Sequence, residues 1–320
     1  MKRIVFKSPF KMGVVSLLTL FILLSCSGGM MPSQETDLKE DNLRGPVKQV
    51  TSRIYSYDGG RVGGVYRGYD IEYDNHGNRV SFVYYTLGDN GKLVEYQRCM
   101  YANAYDKNGV LVAREVSCKT GDKDYYRQMS LKRDGLNEEA TEYNEDGSES
   151  ISYHRRYLKS GEVETVTTYI EKSLYSFQSN KYDKDGRLTE SRIQYLSADA
   201  PYKEQILKCD FYYSFGKARE LRYDDGKEVP TATSDWSQDS DGRILRRLTY
   251  EGQTSFEVYN SKLDLIEKQS CEDGETILTE AKNDYQYDDF GNWVIANCYY
   301  GRDGSGRYYN KREIKYFIVF

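Results

Sequence analysis

Apolar and polar residues alternate along most of the chain. Leu93-Val94-Glu95-Tyr96-Gln97-Arg98, Val163-Glu164-Thr165-Val166-Thr167-Thr168-Tyr169 and Ile314-Lys315-Tyr316-Phe317-Ile318 keep the two-residue period of a strand. Beyond an apolar leader, the 3.6-residue period of an amphipathic helix is hard to find. Short clusters of Gly, Asp and Asn separate the alternating stretches and mark turns. The pattern predicts a near-continuous run of antiparallel hairpins.

The turns share a phrase. It reads Tyr73-Asp74-Asn75-His76-Gly77-Asn78, then Tyr105-Asp106-Lys107-Asn108-Gly109, then Tyr143-Asn144-Glu145-Asp146-Gly147. It returns as Tyr182-Asp183-Lys184-Asp185-Gly186-Arg187 and as Tyr287-Asp288-Asp289-Phe290-Gly291-Asn292. Worn copies stand at Tyr213-Ser214-Phe215-Gly216-Lys217 and Asp239-Ser240-Asp241-Gly242-Arg243, and Leu87-Gly88-Asp89-Asn90-Gly91-Lys92 is a turn of the same kind. The spacing is irregular, about 25 to 50 residues, which suits loosely spaced supersecondary repeats. Each part has a mechanical reason. The Tyr closes a strand. The Asp or Asn accepts a hydrogen bond from a backbone N–H two residues on and starts a type I turn. The Gly takes positive φ, as a three-to-five-residue hairpin needs when it re-enters the sheet. Asp74, Gly77, Asp106, Gly109, Asp183, Gly186, Asp288 and Gly291 are therefore expected to be structural turn residues.

These phrases resemble YD repeats, the β-hairpin units of RHS-type proteins. Asn42-Leu43-Arg44-Gly45-Pro46-Val47-Lys48-Gln49-Val50 at the start of the body and Tyr287 to Trp293 near its close resemble YD-type envelope lipoproteins common in Bacteroidetes. The resemblance runs from Leu43 onward and implies an all-β hairpin body, wound in large members into a spiral shell. This chain is far shorter and ends on strand-like residues, so toxin encapsulation is not expected of it. Two strands per turn give roughly 15 to 20 strands, and open twisted sheets rarely exceed ~10 without curling or splitting. The expected form is a curled sheet, half-shell or incomplete barrel, or two packed sheets.

The leader sets location. Lys2, Arg3, Lys7 and Lys11 precede an apolar run from Val14 to Leu24, as in a secretory signal. The run falls short of the roughly 20 apolar residues a spanning helix needs. Leu23-Leu24-Ser25-Cys26 resembles a bacterial lipobox, which implies a lipid on Cys26 and cleavage just before it. The expected organisation is a signal peptide over residues 1–25, a flexible polar tether over 26–42 and a hairpin body over 43–320. The expected location is the cell envelope, lipid-anchored, at the outer membrane, with the periplasmic or surface face open.

Charge narrows the partners. The leader holds four cations and no acids, so its removal takes the formal charge from −5 to −9. An acidic body does not suit nucleic acid, whose phosphates need clustered Lys and Arg. Tyr is abundant, at 32 residues, and favours strands in which a ring packs while its hydroxyl stays wet. Apart from Cys26, five cysteines remain, an odd number that leaves at least one thiol free. Cys99 with Cys118, and Cys271 with Cys298, each flank a hairpin where the envelope permits a disulfide. Buried unpaired thiols are the favoured reading, and the spacings do not suit zinc.

Candidate chemistry is thin. A Ser-His-Asp triad would have to use His76 or His154, and no nucleophile elbow is present. Asp183-Lys184-Asp185-Gly186 and Asp239-Ser240-Asp241-Gly242 hint at calcium loops. Counted as an EF-hand, the last position falls on Arg192 or Leu248, neither of which ligates. No carboxylate pair stands out for glycoside hydrolysis. Trp236 and Trp293 are candidate ligand-stacking aromatics, against a default of packing along the sheet. The sequence thus predicts a non-enzymatic, cofactor-free binding or scaffold protein on a lipid anchor, with a glycan or an envelope protein as ligand. A structural subunit working through sheet edges is the alternative, and a glycan-active hydrolase comes third. An aromatic groove favours the first, an exposed uncharged edge the second, and a deep pocket with convergent carboxylates or a histidine the third.

Overall fold

The computed structural model describes residues 36–317 except 59–60, 199, 211–218, 251, 273–275 and 301–305. The leader, Cys26, the tether up to residue 35, the worn turn Tyr213 to Lys217 and Ile318 to Phe320 lie outside the described residues. One short helix, α1 (Asp37–Glu40), precedes twenty strands. The first ten are β1 (Val47–Asp58), β2 (Arg61–Tyr73), β3 (Arg79–Leu87), β4 (Leu93–Tyr105), β5 (Leu111–Thr120), β6 (Tyr126–Asp134), β7 (Asn137–Tyr143), β8 (Glu149–Tyr157), β9 (Val163–Ile170) and β10 (Ser173–Tyr182). They continue as β11 (Leu188–Tyr195), β12 (Glu204–Asp210), β13 (Arg219–Asp224), β14 (Ala232–Gln238), β15 (Ile244–Tyr250), β16 (Gln253–Tyr259), β17 (Leu265–Glu272), β18 (Thr276–Tyr287), β19 (Trp293–Tyr300) and β20 (Gly306–Tyr316).

Each strand pairs antiparallel with the next, which is the all-β run of consecutive hairpins. The curling goes to completion. β20 pairs with β1 from Val47 opposite Tyr316 to Ser56 opposite Tyr308, so the sheet closes into a barrel. Full closure removes the two unpaired edges that an incomplete barrel would present to other chains.

Successive strands reverse direction, so successive turns fall on opposite rims. Five-residue turns at 74–78, 106–110, 183–187, 239–243, 260–264 and 288–292 all lie on one rim, the near rim, where the chain also enters β1. The phrase does not fill this rim at every hairpin, since Gly135 and Leu136 alone join β6 to β7. Its copies at 88–92 and 144–148 sit on the far rim. Pairing fixes what faces inward. Val50, Ile71 and Phe82 lie abreast on β1, β2 and β3, followed by Cys99 and Cys118 on β4 and β5. Among the described residues, three apolar patches line the inner wall, around Val47–Val50–Ile71–Tyr73, Cys99–Val116–Cys118 and Ala140–Tyr153–Val166.

The outward rows are charged. Arg127 pairs with Glu115 at 3.0 Å, Lys181 with Glu190 at 2.8 Å and Arg219 with Asp235 at 2.7 Å, each across neighbouring strands. An outward Lys or Arg at a bilayer midplane costs about 2–4 kcal/mol. These ion pairs stud the described outer surface.

Two expectations are corrected. Residues 37–42 are part of the body rather than of a flexible tether, because Asp37 is buried and ion-paired to Arg114 at 2.8 Å. Cys99 and Cys118 form a disulfide in place of two free thiols. The register sets them directly opposite each other, with Cα atoms 4.1 Å apart. Cys209, Cys271 and Cys298 form no disulfide; Cys271 lies opposite Ile277 in the ladder and Cys298 opposite Asn283.

Candidate functional site

The near-rim turns are built alike. Asp74 Oδ1 accepts the backbone N–H groups of His76 and Asn78, both at 3.0 Å, and Gly77 donates its N–H to the Asp74 carbonyl at 3.0 Å. Asp106, Asp183 and Asp288 repeat this bonding, and Gly77, Gly109, Gly186 and Gly291 have φ of 81°, 80°, 74° and 83°. The ladder slips by one residue beside Tyr73, Tyr105, Tyr182 and Tyr287, a bulge that re-aims each ring.

Those rings reach back one turn. The Tyr105 hydroxyl donates to Asp74 and accepts from Asn78 Nδ2 at 2.9 Å. The Tyr287 hydroxyl does the same with Asp264 at 2.7 Å and Asn260 at 2.6 Å. Tyr316 closes the series, donating to Asp288 and accepting from Asn292 at 2.9 Å. Burial first, then the neighbouring carboxylate, pushes the Tyr287 and Tyr316 phenols up to about 12. They stay protonated donors at any physiological pH.

The entry segment lies across this rim. Asp37 accepts from Arg114 Nη1 and Nη2 at 3.1 and 2.8 Å and from the Arg79 backbone N–H at 2.6 Å. Arg114 also donates to Asn103 at 2.9 Å and to Asn78 at 3.1 Å. Leu38 donates its N–H to the Gly77 carbonyl at 3.0 Å. Asp41 takes the Tyr73 hydroxyl at 2.5 Å and the Arg79 guanidinium. Arg44 exchanges two bonds with Asn292, at 2.6 and 2.8 Å.

Inward of that segment the wall lines an open-sided chamber of about 490 Å³. Its aromatic faces come from Tyr69, Tyr73, Phe82, Tyr84 and Tyr101 on three adjacent strands. Gln97, Gln128, Arg79 and Arg312 add polar atoms, and the Cys99 side of the disulfide adds a soft wall. Burial raises the Tyr73 and Tyr101 phenols, so the chamber presents hydroxyls rather than phenolates. Asp41 is its one carboxylate, already held by Arg79 and Tyr73. Arg312 is different. Its guanidinium lies 3.3 Å from the Trp293 ring centroid and donates to the Tyr69 hydroxyl at 2.9 and 3.1 Å. Among the described residues it has no carboxylate in salt-bridge reach. The chamber therefore combines ring faces, two amides and one cation without an acidic partner.

The sequence candidates divide around it. Trp293 backs the chamber through Arg312. Trp236 lies in another sector of the wall, stacked on Tyr259 at 5.9 Å and capped by Arg246 at 4.9 Å. His76 stacks on Tyr105 at 4.1 Å in a near-rim turn, and His154 sits beside Glu139 at 3.4 Å. Neither histidine enters the chamber. Among the described residues no group of three or more His, Cys, Asp or Glu is arranged to hold a metal. The inner wall of β6–β8 carries a second polar cluster, Glu138 between Arg133 and Arg155, bonded at 3.2 and 2.6 Å. Sequence reasoning missed Arg312 and the five chamber aromatics. Their signal was parity, positions 69, 71, 73 and 82, 84 on strands whose inward face only the pairing reveals.

No known protein family matches the chain, and no curated protein matches it in sequence. Solved structures do. A porin-like protein from Bacteroides uniformis aligns at a TM-score of 0.38 and 8% identity, over 85% of this chain and 98% of that one. The TcdB2-TccC3-Cdc42 structure aligns at 0.28 and 10%, over 78% of this chain and 18% of that one. The Photorhabdus luminescens Tc holotoxin pore aligns at 0.14 and 9%, over 76% and 17%. At these scores the chain's own geometry has to carry the reading.

Proposed function

We propose that the protein is a lipid-anchored envelope binding protein that holds a short, acidic glycan in the luminal chamber. The supporting observation is the pairing of stacked aromatic faces with Arg312, a cation that no described carboxylate neutralises. Sugar rings pack their C–H faces on aromatics while hydroxyls bond to amides and phenols. A carboxylate or sulfate on the sugar would complete the Arg312 fork. The chamber's size lies within the range of small-molecule sites. The leader motif around Cys26 supports the anchor, and the charged outer rows support a body beside the membrane rather than in it. Resemblance of the turn phrases to YD-type envelope lipoproteins points the same way.

We propose binding without turnover. The chamber offers Asp41 alone among carboxylates, already bonded, where hydrolysis of a glycosidic bond needs two acids flanking it. Assembly through sheet edges has no support in a ring whose described strands are paired on both sides.

A glycan array probed with the full chain, followed by calorimetry on the hits, tests this. Acidic oligosaccharides should be retained, and Arg312→Gln or Tyr84→Ala should each weaken binding at least tenfold. Trp236→Ala, in another sector, should leave affinity unchanged. Failure to retain any acidic glycan, or retention indifferent to both chamber variants, would overturn the reading.

A further inference from the structure

The far rim carries a feature the chamber does not use. Fifteen large hydrophobic residues are exposed among those described, and ten of them cluster at far-rim hairpins. Eight of the ten hairpins there present at least one. Val229, between β13 and β14, is 74% exposed, and Leu196, between β11 and β12, is 57% exposed. Tyr300, Tyr125 and Tyr250 stand at the ends of three other hairpins, and Leu87 at a fourth. The near rim, by contrast, carries the chain's own entry segment against β2–β5 and the turns beside β17 and β19, and exposes Leu136, Leu263 and Phe290 at its tips. Apolar tips spread around a whole barrel mouth cost solubility unless something covers them.

We infer that the far rim is an interface for a second copy of this chain, joined mouth to mouth about a two-fold axis. The ten residues together expose on the order of 1,000 Å², their polar atoms included, against the ≈ 800 Å² per partner of a standard stable interface. A ring of tips is covered all at once by a surface with the same footprint, and another copy has that footprint by construction. The charges fit a self-meeting surface. Lys123 is paired with Glu145, Lys172 lies 3.9 Å from Glu149, and Lys92 shares its turn with Asp89. Both signs are present at the tips, so two copies can set Lys92, Lys123, Lys172 and Lys227 of one against acids of the other. A bilayer surface, rich in anionic headgroups, would select an excess of Lys and Arg instead. The described chain starts at Thr36 on the opposite rim, so docking leaves the entry segments at the two outer ends. The joined mouths would make one enclosed lumen with a chamber towards each end.

The test uses the full chain in its own membrane. An amine-reactive cross-linker of about lysine-to-lysine reach should trap a species of twice 37.2 kDa before processing is accounted for, with cross-links between far-rim lysines such as Lys92 and Lys227 of the two copies. Val229→Glu with Leu196→Glu should reduce that species at least tenfold, while Phe177→Glu on a mid-strand outward face should leave it intact. The Cys99–Cys118 disulfide, read by a mobility shift on reduction, reports that each variant still folds. Absence of the doubled species from the wild type overturns the inference, as does one that the double variant leaves unchanged. So does a cross-linked band of another mass, or binding of the Cys26→Ala chain to phosphatidylethanolamine–phosphatidylglycerol vesicles that the double variant abolishes, which would make the rim's partner a bilayer.

Discussion

Arg114→Met tests how the entry segment is held. Arg114 and Asp37 are both nearly buried, with side chains 10% and 6% exposed. The guanidinium makes two bonds to Asp37 and one each to Asn78 and Asn103. Methionine matches its stem but supplies no donor. Breaking a buried pair by removing one partner costs about 3–5 kcal/mol, because the remaining charge is left uncompensated. Asp37 keeps the Arg79 backbone N–H, which places the expected loss near the lower end, ~3 kcal/mol. Asp37→Leu in the same chain removes the stranded carboxylate and should recover a good part of that loss, since an apolar replacement of both partners is often neutral. Urea unfolding of the wild type, both single variants and the double variant closes the cycle. Hydrogen exchange at the Leu38 amide, bonded to Gly77, should quicken in Arg114→Met well before the barrel amides do. A double variant no more stable than Arg114→Met, or a Leu38 amide as protected as before, would refute the assignment of this pair as the clasp.

Four more outcomes follow from named contacts. Gly186→Ala and Gly121→Ala, at φ of +74° and +58°, should each cost about 1 kcal/mol, because the Glu162 carboxylate tip near Gly186 can shift aside, and an unchanged urea midpoint in either would contradict this. Cys99→Ala with Cys118→Ala opens a 19-residue separation and should lower stability by ~3 kcal/mol, with the wild type losing as much on reduction. Burial raises the Glu138 carboxyl but Arg155 and Arg133 outweigh it and hold it below its ordinary 4.5, so its contribution is complete above that value and is lost as pH falls through the lower folded one; the stability gap between wild type and Glu138→Gln should therefore narrow from pH 6 to pH 3, and a constant gap would contradict the pairing. Cys26→Ala should abolish labelling by an alkyne fatty acid, whereas equal labelling of both chains would refute lipid attachment there.

What the sequence made legible was local. A turn is chosen by residues that touch within it, and Asp74 bonding to His76 and Asn78 needs nothing beyond five consecutive positions. Alternation shows strands for the same reason. Contacts between distant residues stayed hidden. Residues 37–42 read as a polar tether because nothing nearby reveals that Arg114, 77 positions on, neutralises Asp37. Spacing allowed a Cys99–Cys118 bond but did not demand one, since only the β4–β5 register sets the two Cβ atoms opposite. The chamber was invisible because its wall takes alternate residues from β1 to β4, β6 and β20, and the identity of the inward face depends on closure.

Closure itself follows from the repeat once the tyrosines are included. In the phrase, Asp and Gly make a hairpin, and at Tyr105 and Tyr287 the ring bonds to the Asp of the turn before it, whereas Tyr182 bonds to the Val163 carbonyl. Tyr105 on Asp74, Tyr287 on Asp264 and Tyr316 on Asp288 are one contact made three times. A contact of that kind needs a turn before the first, and the entry segment supplies it, since Asp41 receives Tyr73 in the place of an earlier turn's acid. It also leaves a last turn, and Asn292 of that turn bonds both Tyr316 and the backbone of Arg44. The segment that begins the series therefore meets its end. Residues 41–44 do for the ring what each turn does for its neighbour, which is why they are ordered parts of the rim.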